Sequence, residues 1–224
     1  MLAILTTADN SNTIYIPELD ETYHSRFGAV QESRHVFVES GFQFVSVGRN
    51  DIRILEIGFG TGLNAILTLL AAKENDVTLH YHGIENYPLD KDTMVSLGYE
   101  RWIPEDIIPV WGKMHRCEWN QSVEIKPGFD LLKQNIFLQD FTPDKKYNLI
   151  YFDAFSPDKQ PELWTSEIFK ILFDCLEPGG VLVTYSSKGI VKQNLRSAGF
   201  NVERIRGPVG KRHILRAVKT IDHS

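Results

Sequence analysis

Residues 54–64 read ILEIGFGTGLN, so three glycines spaced two apart, Gly58, Gly60 and Gly62, follow an apolar run and an acid, Glu56. Glycine lets the backbone turn sharply and come close to a ligand. A dinucleotide fingerprint puts its third glycine three positions after the second. Here it comes two after, with Leu63 next, which disfavours a nicotinamide site. Glu85 ends the run VTLHYHGIE, 23 residues beyond Gly62. In nucleoside-binding α/β folds an acid at this point takes hydrogen bonds from ribose hydroxyls, and a carboxylate accepts more than one donor at a time. Asp153 ends the apolar run YNLIYFD and opens the loop DAFSPDKQPELW, where Phe155 and Pro157 would wall a site. Ligands of open α/β sheets sit at the carboxyl ends of the strands, so these acids point to chemistry at one sheet edge.

A second feature is charge. The chain carries 24 Lys and Arg against 29 Asp and Glu, a formal net charge of -5. Yet Ser186 to Lys219 holds nine basic residues (Lys188, Lys192, Arg196, Arg204, Arg206, Lys211, Arg212, Arg216 and Lys219) opposed only by Glu203. Such a stretch is either a solvated face or a patch for a polyanion, where each neutralised phosphate releases counterions.

These residues must be positioned by strands and helices. Ile52–Ile57, Val77–Ile84, Tyr147–Phe152 and Val181–Tyr185 are apolar runs suited to buried parallel strands. Helical character follows over Leu63–Lys73, after Pro88, over Pro161–Leu176 and over Ile190–Ala198. Alternating strands and helices give a mostly parallel, doubly wound α/β sheet. Phe200–Ile205 and His213–Val218, joined by GPVGKR, read as an antiparallel edge at the C-terminal end. Ala3–Thr7 and Thr13–Pro17 flank DNSN as a hairpin, and Gln31–Glu39 reads as a short helix. Residues 99–146, where Trp102, Trp111 and Trp119 lie with Pro104 and Pro109, are expected to form an irregular lobe over the sheet edge.

The 224 residues, 42% hydrophobic, suit one ordinary domain with a short appendage and exclude a disordered chain. No run of about 18 apolar residues is present, so no membrane partner is expected. The N-terminus lacks the basic flank of a secretory signal, and two cysteines make no disulfide framework; a cytoplasmic setting is expected. His80 and His82 alternate along a strand without a third ligand, so no metal is expected, and His115 and Cys117 read as structural.

The strings ETYHS, GAVQESRHVF, EIGFGTGLN, GIENYPL, YFDAFSPDKQPELW, EPGGVLVTYSSKG and GPVGKR are spread along the chain on both sides of 99–146. Together they resemble the tRNA 5-methylaminomethyl-(2-thio)uridine methyltransferases, the methyltransferase half of the MnmC-type enzymes or their stand-alone MnmD form. The resemblance implies a Rossmann-like S-adenosylmethionine-dependent methyltransferase fold over 46–224. A small N-terminal β appendage with a short helix over 1–45 would act as a substrate lid. It implies methyl transfer from S-adenosylmethionine to the amine of 5-aminomethyluridine at the wobble position, leaving S-adenosylhomocysteine, with the tRNA anticodon loop as partner. Glu56, Gly58, Gly60, Gly62, Asn64, Glu85 and Asn86 would hold the cofactor, with Asn135 or Asp140 in place of the usual adenine-contacting Asp. Asp153 and Phe155 would be catalytic. Tyr23, His24, Ser25, Glu32, Ser33, His35, Lys188, Lys211 and Arg212 would meet the substrate.

Two departures stand out: GPVGKRH lacks the acid usual after its Arg, and no flavin-dependent oxidase sequence follows. A separate enzyme would then supply the aminomethyl group, and no flavin is expected. A primary amine is mostly protonated at neutral pH, and a nearby carboxylate favours that form. Asp153 is therefore expected to bind and aim the nitrogen and to stabilise developing positive charge. Proton loss would go to water or a second group, helped by desolvation against Phe155. Two other readings compete. An aminopropyltransferase of the spermidine-synthase kind shares the strand-end aspartate, but the basic C-terminal stretch argues against it. A non-catalytic tRNA-binding protein fits poorly with a glycine loop and Asp153 together.

Overall fold

The computed structural model describes residues 2–220. An eight-stranded sheet forms its centre, built from β4 (Asp51–Ile57), β5 (Thr78–Glu85), β6 (Ser122–Lys126), β7 (Phe129–Asn135), β8 (Tyr147–Phe152), β9 (Leu176–Thr184), β10 (Asn201–Arg206) and β11 (His213–Val218). Its order is β10-β11-β9-β8-β4-β5-β7-β6. The five inner strands are parallel. β10, β11 and β6 run antiparallel to their neighbours, so both edges are antiparallel. All six residues of β8 are buried, as a central parallel strand covered on both faces requires. From β4 the chain moves outward through β5 to β7 and then returns to β8 on the other side. The crevice between β4 and β8 is therefore a topological switch point, where such sheets bind ligands.

Residues 99–146 differ from the expected irregular lobe. They contribute 3₁₀ turns and a helix, α5 (Ile108–Arg116), but also β6 and β7, which extend the main sheet. Phe129 and Leu131 are fully buried there, so the alternation of β7 pins it to its neighbour β5.

At the N-terminus β1 (Ala3–Thr6), β2 (Asn12–Ile16) and β3 (Glu21–Thr22) make a separate antiparallel sheet. A continuous helical run follows: α1 (Ala29–Ser33), a π-helical stretch over Arg34–Phe42, and α2 (Gln43–Ser46). It is longer than the nine residues the sequence pattern marks, and it lies directly on the sheet. A Cβ at Gly41 would stand 2.9 Å from Val183 Cγ2 and 3.1 Å from the Tyr151 ring. Val36, Phe37 and Phe42 join Tyr151 and Val183 in one buried cluster.

α3 (Leu63–Glu74) packs beside this run on the same face of the sheet. Nine of its twelve residues are buried, among them Asn64 and Thr68. A helix apolar on nearly every side belongs inside a protein, and a polar side chain within it needs partners. The opposite face of the sheet is covered by α6 (Ser166–Cys175) and α7 (Gly189–Ser197) through Phe169, Leu172, Val191 and Leu195. The remaining short helix, α4 (Lys91–Ser96), is capped by Asp90, whose carboxylate accepts from Thr93 N at 2.8 Å. Among the described residues no helix is long and apolar enough to cross a membrane.

Candidate active site

The carboxyl ends of β4, β5 and β8 converge on one cavity, whose walls include the glycine loop, Glu85, Asn86, Asp153 and Phe155. The loop's conformation needs glycine: Gly58, Gly60 and Gly62 have φ of 84°, 48° and 71°. At Gly58 there is a second reason. A Cβ there would lie 2.7 Å from the carbonyl oxygen of Asp153, so the two loops pack backbone to backbone. Asp153 N donates to Ile57 O at 2.9 Å across the same seam.

Glu85 holds the loop from the other side. Its Oε2 accepts from Gly60 N and its Oε1 from Tyr87 N, each at 2.9 Å. Burial raises its carboxyl above the usual range against these donors. A carboxylate has about four acceptor sites, so both oxygens retain capacity for hydroxyl donors in the cavity. Ile57, Ile84 and Leu138 supply apolar walls, and Ile136 to Gln139 close the far side. A glycine cradle, an acceptor pair and an apolar slot fit a cofactor made of an amino acid, a ribose and an adenine.

A second cavity meets the first at Tyr23, His24, Asp153, Ala154 and Phe155, and adds Glu21, Ser25, Glu32, Tyr185 and Lys211. Tyr23 and Phe155 stand edge to face with centroids 5.2 Å apart, at the junction. The Asp153 loop is tied down on all sides. Tyr185 Oη donates to Ala154 O at 2.9 Å, Trp164 Nε1 donates to Phe155 O at 2.8 Å, and Ser156 Oγ donates to Glu21 at 2.6 Å.

Behind the junction lies a polar network. Asn64 Nδ2 donates to Glu56 Oε1 at 2.7 Å and to Asp153 Oδ2 at 2.8 Å, while Ser33 Oγ donates to Asn64 Oδ1 at 2.6 Å. Tyr81 Oη donates to Glu56 Oε2 at 2.9 Å. Burial pushes Glu56 up to about 8 despite the donors from Asn64 and Tyr81. Asp153 lies well above the ordinary carboxylate range, first through burial and then through the negative charges of Glu56 and Glu32, with Asn64 and Lys211 opposing. Part of its surface stays accessible because both cavities open onto it.

The structure divides the expected site residues into groups. Gly58, Gly60, Asn64, Glu85, Asn86, Asp153 and Phe155 line the first cavity. Gly62 instead ends the loop as the left-handed residue before α3. Glu56 is fully buried behind the loop and reaches the site only through Asn64. Asn135 and Asp140 are exposed, and the residues between them, Ile136 to Gln139, form the wall instead.

Tyr23, His24, Ser25, Glu32 and Lys211 line the second cavity. His24 is buried, lowered to about 4 by burial, and therefore neutral. Lys211 pairs with Glu32, whose other oxygen accepts from Ser25 N at 2.7 Å, and its ammonium sits 4.0 Å from the Tyr185 ring centroid. Ser33 acts only through Asn64. His35 points away from both cavities, with Nε2 2.8 Å from Arg206 O and Nδ1 3.1 Å from Glu39. Lys188 pairs with Asp158 of the Asp153 loop, and Arg212 is exposed. Tyr81 and Tyr185 are not among the expected site residues; Tyr185 ends the expected strand Val181–Tyr185, the one signal that could have found it. Among the described residues no group of three or more His, Cys, Asp or Glu could hold a metal.

Residues 103–220, just over half the chain, match a family model described as S-adenosyl-L-methionine-dependent methyltransferase. The chain is 30% identical over 219 residues to a Cupriavidus metallidurans protein named tRNA 5-methylaminomethyl-2-thiouridine biosynthesis bifunctional protein MnmC, covering 91% of this chain and 32% of that one. It spans about a third of the length of the curated relatives it matches. A crystal structure described as MnmC2 from Aquifex aeolicus superposes with a TM-score of 0.75 at 26% identity, over 97% of this chain and 70% of that chain. Spermidine synthase from Thermotoga maritima shares the fold, with a TM-score of 0.60 at 15% identity over 99% of this chain and 70% of that chain.

Proposed function

Because the chain belongs to the S-adenosyl-L-methionine-dependent methyltransferase family, we propose that it methylates the exocyclic amine of 5-aminomethyl-(2-thio)uridine at the tRNA wobble position, giving 5-methylaminomethyl-(2-thio)uridine. The observation that carries this reading is the meeting of two cavities at Asp153, Tyr23 and Phe155. One has the shape and donors for the cofactor; the other is acidic and aromatic, as an amine on a flat base requires. The name of the Cupriavidus relative, which refers to tRNA 5-methylaminomethyl-2-thiouridine biosynthesis, supports the same substrate.

S-adenosylmethionine supplies an electrophilic methyl carbon. The chain's own residues do the rest. Glu85 holds the glycine loop and offers acceptors to the ribose. Asp153 accepts a hydrogen bond from the substrate nitrogen and aims it across the junction, an orientation effect. A carboxyl raised by burial is also a stronger base than a free aspartate, so the ammonium proton transfers to it less steeply uphill. Tyr23 and Phe155 exclude water and offer faces to an unstacked base, the form in which anticodon nucleotides are recognised. The N-terminal sheet and its following helix, 1–45, serve as the lid over the second cavity through Tyr23, His24 and Glu32. The anticodon loop is the partner, and the cytoplasm is the setting in which the two meet.

The test is methyl transfer from labelled S-adenosylmethionine to bulk tRNA from cells lacking the gene, followed by nucleoside analysis. Label in methylaminomethyl-uridine is expected. Label absent from tRNA, with cofactor binding intact, would move the acceptor to a small amine.

A further inference from the structure

Glu56 is fully buried, touches neither cavity and accepts hydrogen bonds from Asn64 and Tyr81. Asn64 presents one amide nitrogen to two carboxylates at 2.7 and 2.8 Å, and Ser33 fixes which way that amide points by donating to its oxygen. The amide cannot flip to suit one acid without losing Ser33. It therefore holds the two carboxyl groups at a fixed separation in protein surroundings where ionising both is costly. We infer that Glu56 is a positioning residue that acts through Asn64 as a charge partner of Asp153, so that the two acids titrate as one unit and Glu56 sets the proton affinity of Asp153.

Other charged groups face Asp153 from the elements around it. Glu32 lies on α1, Lys211 on the β10–β11 turn, Tyr185 after β9 and Tyr81 on β5. Glu32 and Lys211 pair with each other and largely offset. Tyr81 and Tyr185 stay neutral because burial raises them far above physiological pH. Glu85 faces Glu56 across the loop but is anchored by backbone donors. Of these groups, Glu56 alone among the acids is tied to Asp153 by a shared donor. The proton step is balanced: the substrate ammonium loses a proton, Asp153 gains it, and the freed lone pair is the nucleophile. A base with too low an affinity leaves the amine charged. This inference rests on the proposed function, in which Asp153 receives that proton.

The experiment is a titration of the Asp153 carboxyl carbon by NMR in ligand-free protein labelled at aspartate, assigned by its loss in Asp153→Asn. It is repeated with Glu56→Gln, which keeps the shape and removes the charge. The Asp153 midpoint is expected to fall by a unit or more, about a tenfold change in proton affinity. The rising limb of kcat/KM for methyl transfer should move down with it, while S-adenosylhomocysteine affinity stays within about twofold. Should Glu56→Gln not fold, Tyr81→Phe strips a donor from Glu56, makes it hold its proton more tightly, and should move the midpoint the same way by less. An unchanged midpoint in the variant that folds overturns the inference. The titration needs no substrate, so failure of the tRNA reading would show separately, as missing methyl transfer in the unsubstituted protein.

Discussion

Burial raises the Asp153 carboxyl and at the same time makes its ionised form costly to keep, so one set of contacts serves reactivity at the expense of stability. Asn64, Tyr185 and the seam with Gly58 hold the group where both cavities reach it. Asp153→Asn retains the shape and removes both the charge and the base. Methyl transfer should drop by about 10²–10⁴, the usual worth of a positioned base, with S-adenosylhomocysteine binding preserved by calorimetry. The same variant should melt higher than the unsubstituted protein at pH 8, where an unfolded aspartate is ionised and burial makes that form costly in the folded state. Loss of cofactor binding instead would move Asp153 from the acceptor side of the site to the cofactor side. Asp153 and Glu85 are legible in the sequence because each ends an apolar run, and strand ends are where such sheets work. Glu56 is not. Its position before the glycines is visible, but which face of β4 its side chain takes, and that Tyr81 and Asn64 wait there, depends on strand register.

Elements carry the second level of organisation, and here the basic stretch divides. Lys188, Lys211 and Arg216 are tied to Asp158, Glu32 and Glu203, and Lys219 donates to backbone carbonyls of Phe173 and Leu176. Lys192 and Arg196 lie one turn apart on α7, and Lys192 is repelled by both Arg196 and Arg204 of β10. Like charges left together on an accessible face suit a polyanion better than they suit folding. Lys192→Glu with Arg196→Glu should weaken tRNA binding and reduce its logarithmic salt slope by about 2, one for each phosphate no longer neutralised. A slope that stays the same would return this face to solvent. The sequence displays the charges but not their pairing, because partners such as Glu32 and Lys211 are 179 positions apart. Other elements are legible to different degrees. The buried parallel strands and α3 announce themselves as apolar runs. β6 and β7 do not, because the alternation of β7 in burial is masked in its residue types: Lys133 takes a buried place and Leu132 a half-buried one. The helical run from Ala29 to Ser46 reads too short in the sequence for a related reason: Glu39, Ser40 and Gly41 look like its end, yet Gly41 is where the helix meets the sheet.

For the whole molecule, two sets of buried groups bind protons differently in the folded and unfolded states. His24, His82 and His115 are each lowered to about 4 by burial. They bind more protons when unfolded, so their contribution is present above the unfolded value near 6.5 and is lost as pH falls toward 4. Glu56, at about 8, and Asp153 and Glu85, also raised, behave oppositely. They bind protons more tightly when folded, so their contribution is complete at low pH and is lost as pH rises from the unfolded carboxyl range through the folded values. Between about pH 4.5 and 6.5 the histidines and the acids act on stability in opposite directions. From 6.5 to 8 the three histidines no longer oppose Glu56, and the thermal midpoint of the ligand-free protein should fall. Glu56 alone contributes up to about 1.4 kcal/mol per pH unit to that slope, which for a chain of this size is roughly 3 °C per unit. Glu56→Gln should therefore flatten the alkaline side by about that amount and, with one opposing acid gone, let the histidines steepen the rise of stability between about pH 4.5 and 6.5. Melting curves across pH 4 to 9 for both proteins decide the matter. An alkaline slope identical in the two would mean that Glu56 releases its proton at the ordinary value in the folded state, and that the cost of its burial is met by its donors.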